Sequence, residues 1–485
     1  MSSSKRTKLK LTWIGKENRP RLEPRILLDD PEKSHHAQHR VSSHDLFDNR
    51  LIFGDNLLAL KALEQEFAGR IKCVYIDPPF NTGQAFEQYK DGLKVPVVSD
   101  HDFILCYTRQ PDAVPFRPLH DPTVLNAYRN HDDAGRLYRD RLLKKNGKNS
   151  LRSDRPSMFF EIPGPDGLPV LPIHDDGKEA RWALGKEEVF ARLARNEIIW
   201  KQRDRADTLV WVPYTREYAP ETPTRPHPTI WTDVQTTRQA KPHLRALVPE
   251  APAFETPKPE PLIARIIEMC TEERDVVLDS FAGSGTTGAV AQKMRRRWIM
   301  VELGEHCHTH IIPRLKKVID GEDPGGITKA VNWKGGGGFR YYRLAPSLLE
   351  KDKWGNWVIS KQYNPAMLAE ALCKLEGFVY APSETIYWQH GHSTERDFIY
   401  VTTQNLSPDQ LQQLSDEVGS DRTLLVLCTA FRGKAERWQN LTVKKIPRAV
   451  LSRCEWGHDD YSLRVENLTK APPKLGQQEL FREEE

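Results

Sequence analysis

No apolar run in the 485 residues approaches the roughly 20 needed to cross a bilayer as a helix, so a membrane-spanning protein is not expected. The opening MSSSKRTKLK has none of the apolar stretch of a secretion signal, and a cytoplasmic location is expected. Seven cysteines, an odd number scattered from Cys73 to Cys454, include no C-x-x-C pair. That spacing fits reduced thiols better than a disulfide framework or a zinc site. There is no G-x-x-x-x-G-K-[ST] string, which disfavours a phosphate-gripping P-loop. No internal repeat is found, so a solenoid is not expected. What is present is the balance of a soluble globular chain: 38% hydrophobic and 28% charged residues, with mean hydropathy −0.62. The length suits about three domains. The net charge is only +4, so any polyanion binding must come from local clustering of bases.

Residues 1–45 are polar and basic without a sustained period and read as an arm. From 46 to 106 the pattern becomes strand, helix, strand. LIFGDN is extended, Leu57, Leu60, Leu63 and Phe67 lie on the inner side of a helix capped by Asp55 or Asn56, and IKCVYI is a second apolar strand. The same grammar returns within 251–335, where LIARIIEMC and GAVAQKM look helical and VVLDSF and WIMVEL extended. These are two halves of one α/β unit with buried parallel strands, separated by an insert over 107–250. From 340 to 485, FIYVTTQ, the helix opening at SPDQLQQL and TLLVLC suggest a further small α/β domain.

Two constellations carry chemistry. DSFAGSGTTG at 279–288 lies between a strand and a helix, where Gly283, Gly285 and Gly288 permit a tight turn and close approach to a ligand. Glu302 ends the next strand, the place where such folds put an acid against ribose hydroxyls. A tight structural turn would account for glycines alone, but not for Asp279, Phe281 and Glu302 around them. The second is Asp77-Pro78-Pro79-Phe80, at the carboxyl end of a buried strand. Paired prolines hold the backbone rigid, so the Pro78 carbonyl and the Asp77 carboxylate can together grip one NH₂ group. An aromatic amine has its lone pair delocalised into the ring. Two acceptors on its hydrogens favour the geometry that attacks an electrophilic methyl. Phe80 would stack on a base drawn out of the duplex. A proline-rich turn with a capping Asp is the plain alternative, and the cofactor-type loop in the same chain weakens it.

The pair DPPF and FAGSGTTG, in that order, resembles the β-class of amino DNA methyltransferases, whose catalytic motif precedes the cofactor motif with target-recognition sequence between them. FETPKPEPLIARII and GDNLLAL resemble that class's third cofactor segment and strand-to-helix junction. The subgroup it looks most like is the modification subunit of type III restriction systems, on RWALGKEEV, TPKPE and GGGGFRYYRL. The resemblance implies a Rossmann-like S-adenosylmethionine-dependent methyltransferase sheet, transfer to N6 of adenine in duplex DNA, and no metal. Asp55, Thr256, Lys258, Asp279, Phe281, Gly283, Gly285 and Glu302 would surround S-adenosylmethionine, and Asp77 to Phe80 would hold the target base. Partners would be double-stranded DNA and a restriction (nuclease/helicase) subunit, with a homodimer as a further option.

The chain also departs from that pattern. After DPPFNTGQAFEQYKDGL the class continues with a helix and another strand, whereas here Lys94-Val95-Pro96 leads almost directly to DHDFILCYTR. The loss of a unit of roughly 30 residues would leave a gap in the sheet and in the wall of the base pocket. A catalytically impaired DNA-binding paralogue is therefore one alternative, and cytosine-N4 methylation another. Within the insert, Arg136, Arg139, Arg141, Lys144 and Lys145 head a basic run, followed by Trp182, Trp200, Trp211, Tyr214 and Trp231. Bases neutralise phosphates and aromatics stack or wedge, so DNA contact is expected there, with a solvated surface and core tryptophans as the plain alternative. His306, His308 and His310 alternate along an expected helix and so point to different faces, which argues against a shared metal.

Overall fold

A computed structural model describes residues 20–78, 103–109, 116–205 and 208–446. The chain divides into two compact units, one formed by 1–115 with 232–485 and the other by 116–231.

The first unit is built on a seven-stranded sheet: β1 (Leu27–Asp29), β2 (His35–His36), β3 (Asn49–Phe53), β4 (Ile71–Val74), β5 (Val276–Asp279), β6 (Arg297–Glu302) and β7 (Gly338–Leu344). Its order is β1-β7-β3-β6-β5-β4, with β2 on β7. β7, β3, β6, β5 and β4 run parallel, while β1 and β2 add antiparallel edges. Such strands are buried on both faces, and β5 is buried along its whole length. On one face α1 (Asn56–Phe67) packs Ala59, Leu63 and Phe67 against Ile52, Leu278, Ile299 and Val301. On the other, α3 (Glu260–Cys270), α4 (Thr286–Lys293) and α5 (Ile312–Ile319) bury Ile263, Ile267, Val290 and Leu315 against Leu51, Val277, Trp298 and Met300. α2 (Thr237–Leu247) lies before α3 in the same unit. The expected Rossmann-like α/β sheet is present.

Several boundaries differ from the sequence expectation. The supposed polar arm contributes β1 and β2, strands too short for periodicity to reveal. The insert is the compact unit 116–231, narrower than 107–250, because α2 belongs to the first unit. Most of GGGGFRYYRL is β7 of the main sheet, and the chain that follows stays within the first unit. It has a five-stranded sheet between 379 and 445 and a helix, Pro408–Val418, opened by the Ser407 capping box. FIYVTTQ and TLLVLC supply its parallel strands Asp397–Val401 and Thr423–Cys428.

Among the described residues β4 pairs on one side only, with β5, and so forms an edge. Val74 and Ile76 are 58% and 50% exposed there, unusual for apolar side chains at the heart of a parallel sheet. The departure expected after DPPF falls within 79–102, outside the described residues.

The second unit is a four-stranded antiparallel sheet in which the long hairpin Ile198–Arg205 and Thr208–Tyr218 pairs with Leu137–Leu142. Trp182 is buried in its core and donates from Nε1 to the Phe160 carbonyl at 2.7 Å.

Candidate active site

The tips of β4, β5 and β6 bring the two sequence motifs together. β4 and β5 are parallel neighbours, and beyond the paired residues the Tyr75 amide donates to the Leu278 carbonyl at 2.9 Å. Two residues further, the Asp77 Oδ2 lies 3.2 Å from the Lys258 Nζ, so the DPPF strand end and the TPKPE segment meet as an ion pair. Both side chains are partly exposed. Pro78 is half-buried beside them, while Pro79 and Phe80 lie outside the described residues.

Asp279, at the end of β5, is almost wholly buried and accepts a 3.0 Å bond from the Phe281 amide. Burial, reinforced by the charges of Glu302 and Asp77, pushes its carboxyl up to about 6 against the pull of bonds from Thr287 and Phe281. The charges of Glu302 and Asp77 thus bear on Asp279 from the neighbouring strand ends. Glu302, at the end of β6, bridges two loops: Oε2 accepts from the Gly283 amide at 2.8 Å and Oε1 from the Gly304 amide at 2.9 Å. His306 Nε2 lies 3.0 Å from the same Oε1. Burial opposes ionisation of Glu302, but these bonds overcome it and hold the carboxyl below the usual range.

Gly285 caps α4 at φ 76°, a left-handed conformation costly to any residue with a Cβ. A methyl there would also meet the Ile311 Cγ2 at 3.0 Å. Gly285→Ala is expected to cost about 1–2 kcal/mol, read as a lower urea midpoint, and an unchanged midpoint would show the turn to be unstrained. Gly288 has a different part from the one the sequence suggested. It sits inside α4 and lets the helix rest on Met300.

Asp55 caps α1 by accepting from the Leu58 amide at 3.0 Å, the capping the sequence allowed. Phe281 is half-buried and Thr256 exposed on the segment before α3. Reading by motif missed Phe254, which stands 3.7 Å from where a Gly283 side chain would begin and packs edge-on against His306 and His310. The three histidines take separate partners: Glu302 for His306, the Tyr341 hydroxyl for His308 and the Pro252 carbonyl for His310.

In the insert, Arg139 and Arg141 are on the strand Leu137–Leu142, with Arg136, Lys144 and Lys145 just outside it, and most of them are engaged at home. Arg139 and Arg141 donate to the two oxygens of Glu217 at 2.8 and 2.9 Å. Arg136 pairs with Asp132 and lies over the Tyr218 ring. Lys144 Nζ bonds the Ile173 carbonyl at 2.8 Å and Asp175 at 3.4 Å. Lys145 is half-buried beside them. The local density of positive charge is therefore less than the sequence suggests, though Arg136 and Arg141 keep well over half of their side-chain surface exposed.

A parallel sheet, a glycine turn opening a helix and an acid ending the following strand define a Rossmann-like α/β domain of the nucleoside-cofactor kind. Residues 96–313 match the DNA methylase family N6_N4_Mtase. The chain is 26% identical to the probable type III restriction-modification enzyme HindVI Mod subunit of Haemophilus influenzae, over 62% of this chain and 54% of that protein. It is 24% identical to the EcoPI Mod subunit of Escherichia phage P1, over 57% of this chain and 60% of that one. The chain thus spans little more than half the length of these curated relatives. Among solved structures, the PvuII cytosine-N4-specific DNA methyltransferase aligns at 16% identity and a TM-score of 0.21, over 62% of this chain and 98% of that one.

Proposed function

We propose that this chain is a DNA methyltransferase that moves a methyl group from S-adenosylmethionine to N6 of adenine in duplex DNA, as the modification subunit of a type III restriction-modification system. The observation that carries the reading is the meeting of Asp77, Lys258, Asp279 and Glu302 at adjoining strand ends. A buried Asp279 with two further acids at the neighbouring strand ends favours a ligand that brings positive charge. S-adenosylmethionine fits that demand and, when bound, supplies an electrophilic methyl on a sulfonium centre.

The chain's own residues then have distinct parts. Glu302 holds the Gly283 and Gly304 amides in place and stands where ribose hydroxyls would donate. Lys258 takes Oδ2 of Asp77, which fixes the carboxylate and leaves Oδ1 to be aimed at the target amine. With the Pro78 carbonyl as second acceptor, both amine hydrogens are held and the nitrogen lone pair is released from the ring. The insert supplies DNA contact through Arg136, Arg139, Arg141, Lys144 and Lys145, and a restriction subunit is the expected protein partner.

The test is direct. Purified full-length chain with methyl-labelled S-adenosylmethionine and duplex DNA should yield N6-methyladenine, with each modified strand found at one recurring sequence; label in N4-methylcytosine would move the assignment to the other amino base. A second reading is favoured by one observation, the short sequence between DPPF and DHDFILCYTR, which fits a paralogue that binds cofactor and DNA without turnover. Saturable binding of both ligands with no transferred label would support that reading over the first.

A further inference from the structure

Beneath the glycine loop lies a buried set of charges to which the sequence assigned no part, although Glu260 closes the TPKPE run. Glu260, Lys293, Asp323 and Arg314 are each 2% exposed or less, and they come from α3, α4, the segment after α5 and α5 itself. Lys293 Nζ donates to Glu260 Oε2 at 2.8 Å and to Asp323 Oδ2 at 2.5 Å. Asp323 Oδ1 lies 2.9 Å from His243 Nε2. The second Glu260 oxygen accepts from Arg314 at 3.0 Å, and the Ile327 amide donates to Oε2 at 3.0 Å. His243, Glu260 and Asp323 bring ligand atoms within 4.8 Å of one another, but the Lys293 ammonium already fills the cation's place between the two carboxylates. Two acids against two bases balance. Burial disfavours the Glu260 carboxylate, yet Arg314 and Lys293 hold it below its usual range.

Among the described residues, one arm of this network leaves it for the ligand-facing side. Arg314 NH1 donates to the Ser284 carbonyl at 3.2 Å and to the Thr286 hydroxyl at 2.8 Å. Thr286 passes the contact on, donating to the Lys258 carbonyl at 3.1 Å. One guanidinium therefore touches the glycine turn and, through one hydroxyl, the backbone of the residue that pairs with Asp77. Stability alone explains Arg314 poorly. Its Nε is buried without a partner among the described residues, an orphan that costs about 1–3 kcal/mol.

We propose that Arg314, braced by Glu260, is a positioning residue: from below it holds the glycine turn and the Lys258 segment in their ligand-ready arrangement, and so sets cofactor affinity without meeting the cofactor. The proposal rests on the cofactor reading of the loop given above. Since Arg314 and Glu260 carry opposite charges, replacing both leaves Lys293 and Asp323 balanced. The double variant Arg314→Met/Glu260→Gln should then fold where a single replacement would strand a buried charge.

The test has two independent readouts on the full chain. In the absence of ligand, amide hydrogen exchange over residues 282–287 should quicken in the double variant while that of the β6 amides stays as in the parent. Calorimetric binding of S-adenosylhomocysteine should weaken at least about tenfold, as expected for two lost charge-assisted hydrogen bonds, with DNA affinity unchanged. Arg314→Lys, which restores one donor, should recover part of both losses. A folded double variant with parental exchange and affinity would overturn the proposal, as would failure of both variants to fold, since the network would then serve the fold and not the loop. If the parent binds no S-adenosylhomocysteine while loop exchange still quickens, the cofactor reading falls and the positioning of the turn stands.

Discussion

Asp77→Ala is expected to abolish methyl transfer, lowering kcat by roughly 10³-fold or more, while affinity for S-adenosylhomocysteine stays within a few-fold of the parent. The size follows from what the carboxylate does: removing one preorganised polar group from a reacting centre costs about 10²–10³ in rate, and here the same group also orients the nucleophile. Cofactor affinity should survive because Asp77 stands at the tip of β4, whereas the glycine turn and Glu302 belong to β5 and β6. Lys258 loses its partner, but both side chains are partly exposed and water can take up the freed ammonium. Asp77→Asn should retain a residue of activity, since the amide oxygen still accepts one bond. Single-turnover transfer beside calorimetric binding separates the cases. Parallel loss of transfer and of cofactor binding would mean that Asp77 supports the strand end and not the reaction.

How far the sequence foretold this site depends on the range of the interactions involved. DPPF and the glycine turn are local devices, legible because paired prolines and spaced glycines leave few backbone options. Their meeting was legible by resemblance alone: parallel pairing of β4 with β5 joins residues about two hundred positions apart, and no period records it. Phe254 escaped because it lies in the irregular segment before α3 and meets the glycine turn only in the fold, and Glu260 and Arg314 escaped because their parts arise from helices packed on one another. Arg314 reads as one more basic residue on a surface helix until Glu260 and Thr286 are placed against it. The insert erred in the opposite direction. A run of arginines looks like free charge, yet Glu217, 76 and 78 positions away from Arg141 and Arg139, is a cross-strand neighbour that answers two of them. The strands within 27–36 were too short to show alternation and exist because β7 offers them an edge.

Asp279→Asn is expected to make the protein more stable and worse at holding its cofactor. With the folded carboxyl raised to about 6 and an ordinary value of 3.8, the folded state binds the proton more tightly than the unfolded chain does. Stability is therefore greatest below the ordinary value, falls as pH rises through that interval, and is lowest above 6, where ionised Asp279 is held against burial and two neighbouring acids. The cost at neutral pH is on the order of 3 kcal/mol as an upper bound, and asparagine removes it while still accepting the Phe281 amide bond. A bound sulfonium favours the ionised form, so binding should expel the proton wherever Asp279 is still protonated. Affinity for S-adenosylmethionine is accordingly expected to fall by about tenfold as pH drops from 7.5 to 5. S-adenosylhomocysteine, whose sulfur is neutral, should show a shallower dependence. The asparagine variant should melt higher than the parent at pH 7.5, bind S-adenosylmethionine at least about tenfold more weakly there, and lose the difference in pH slope between the two ligands. Equal slopes for both ligands in the parent would show that the Asp279 charge is not answered by the sulfonium. A variant both less stable and unaltered in affinity would make Asp279 a structural cap for the turn that follows β5.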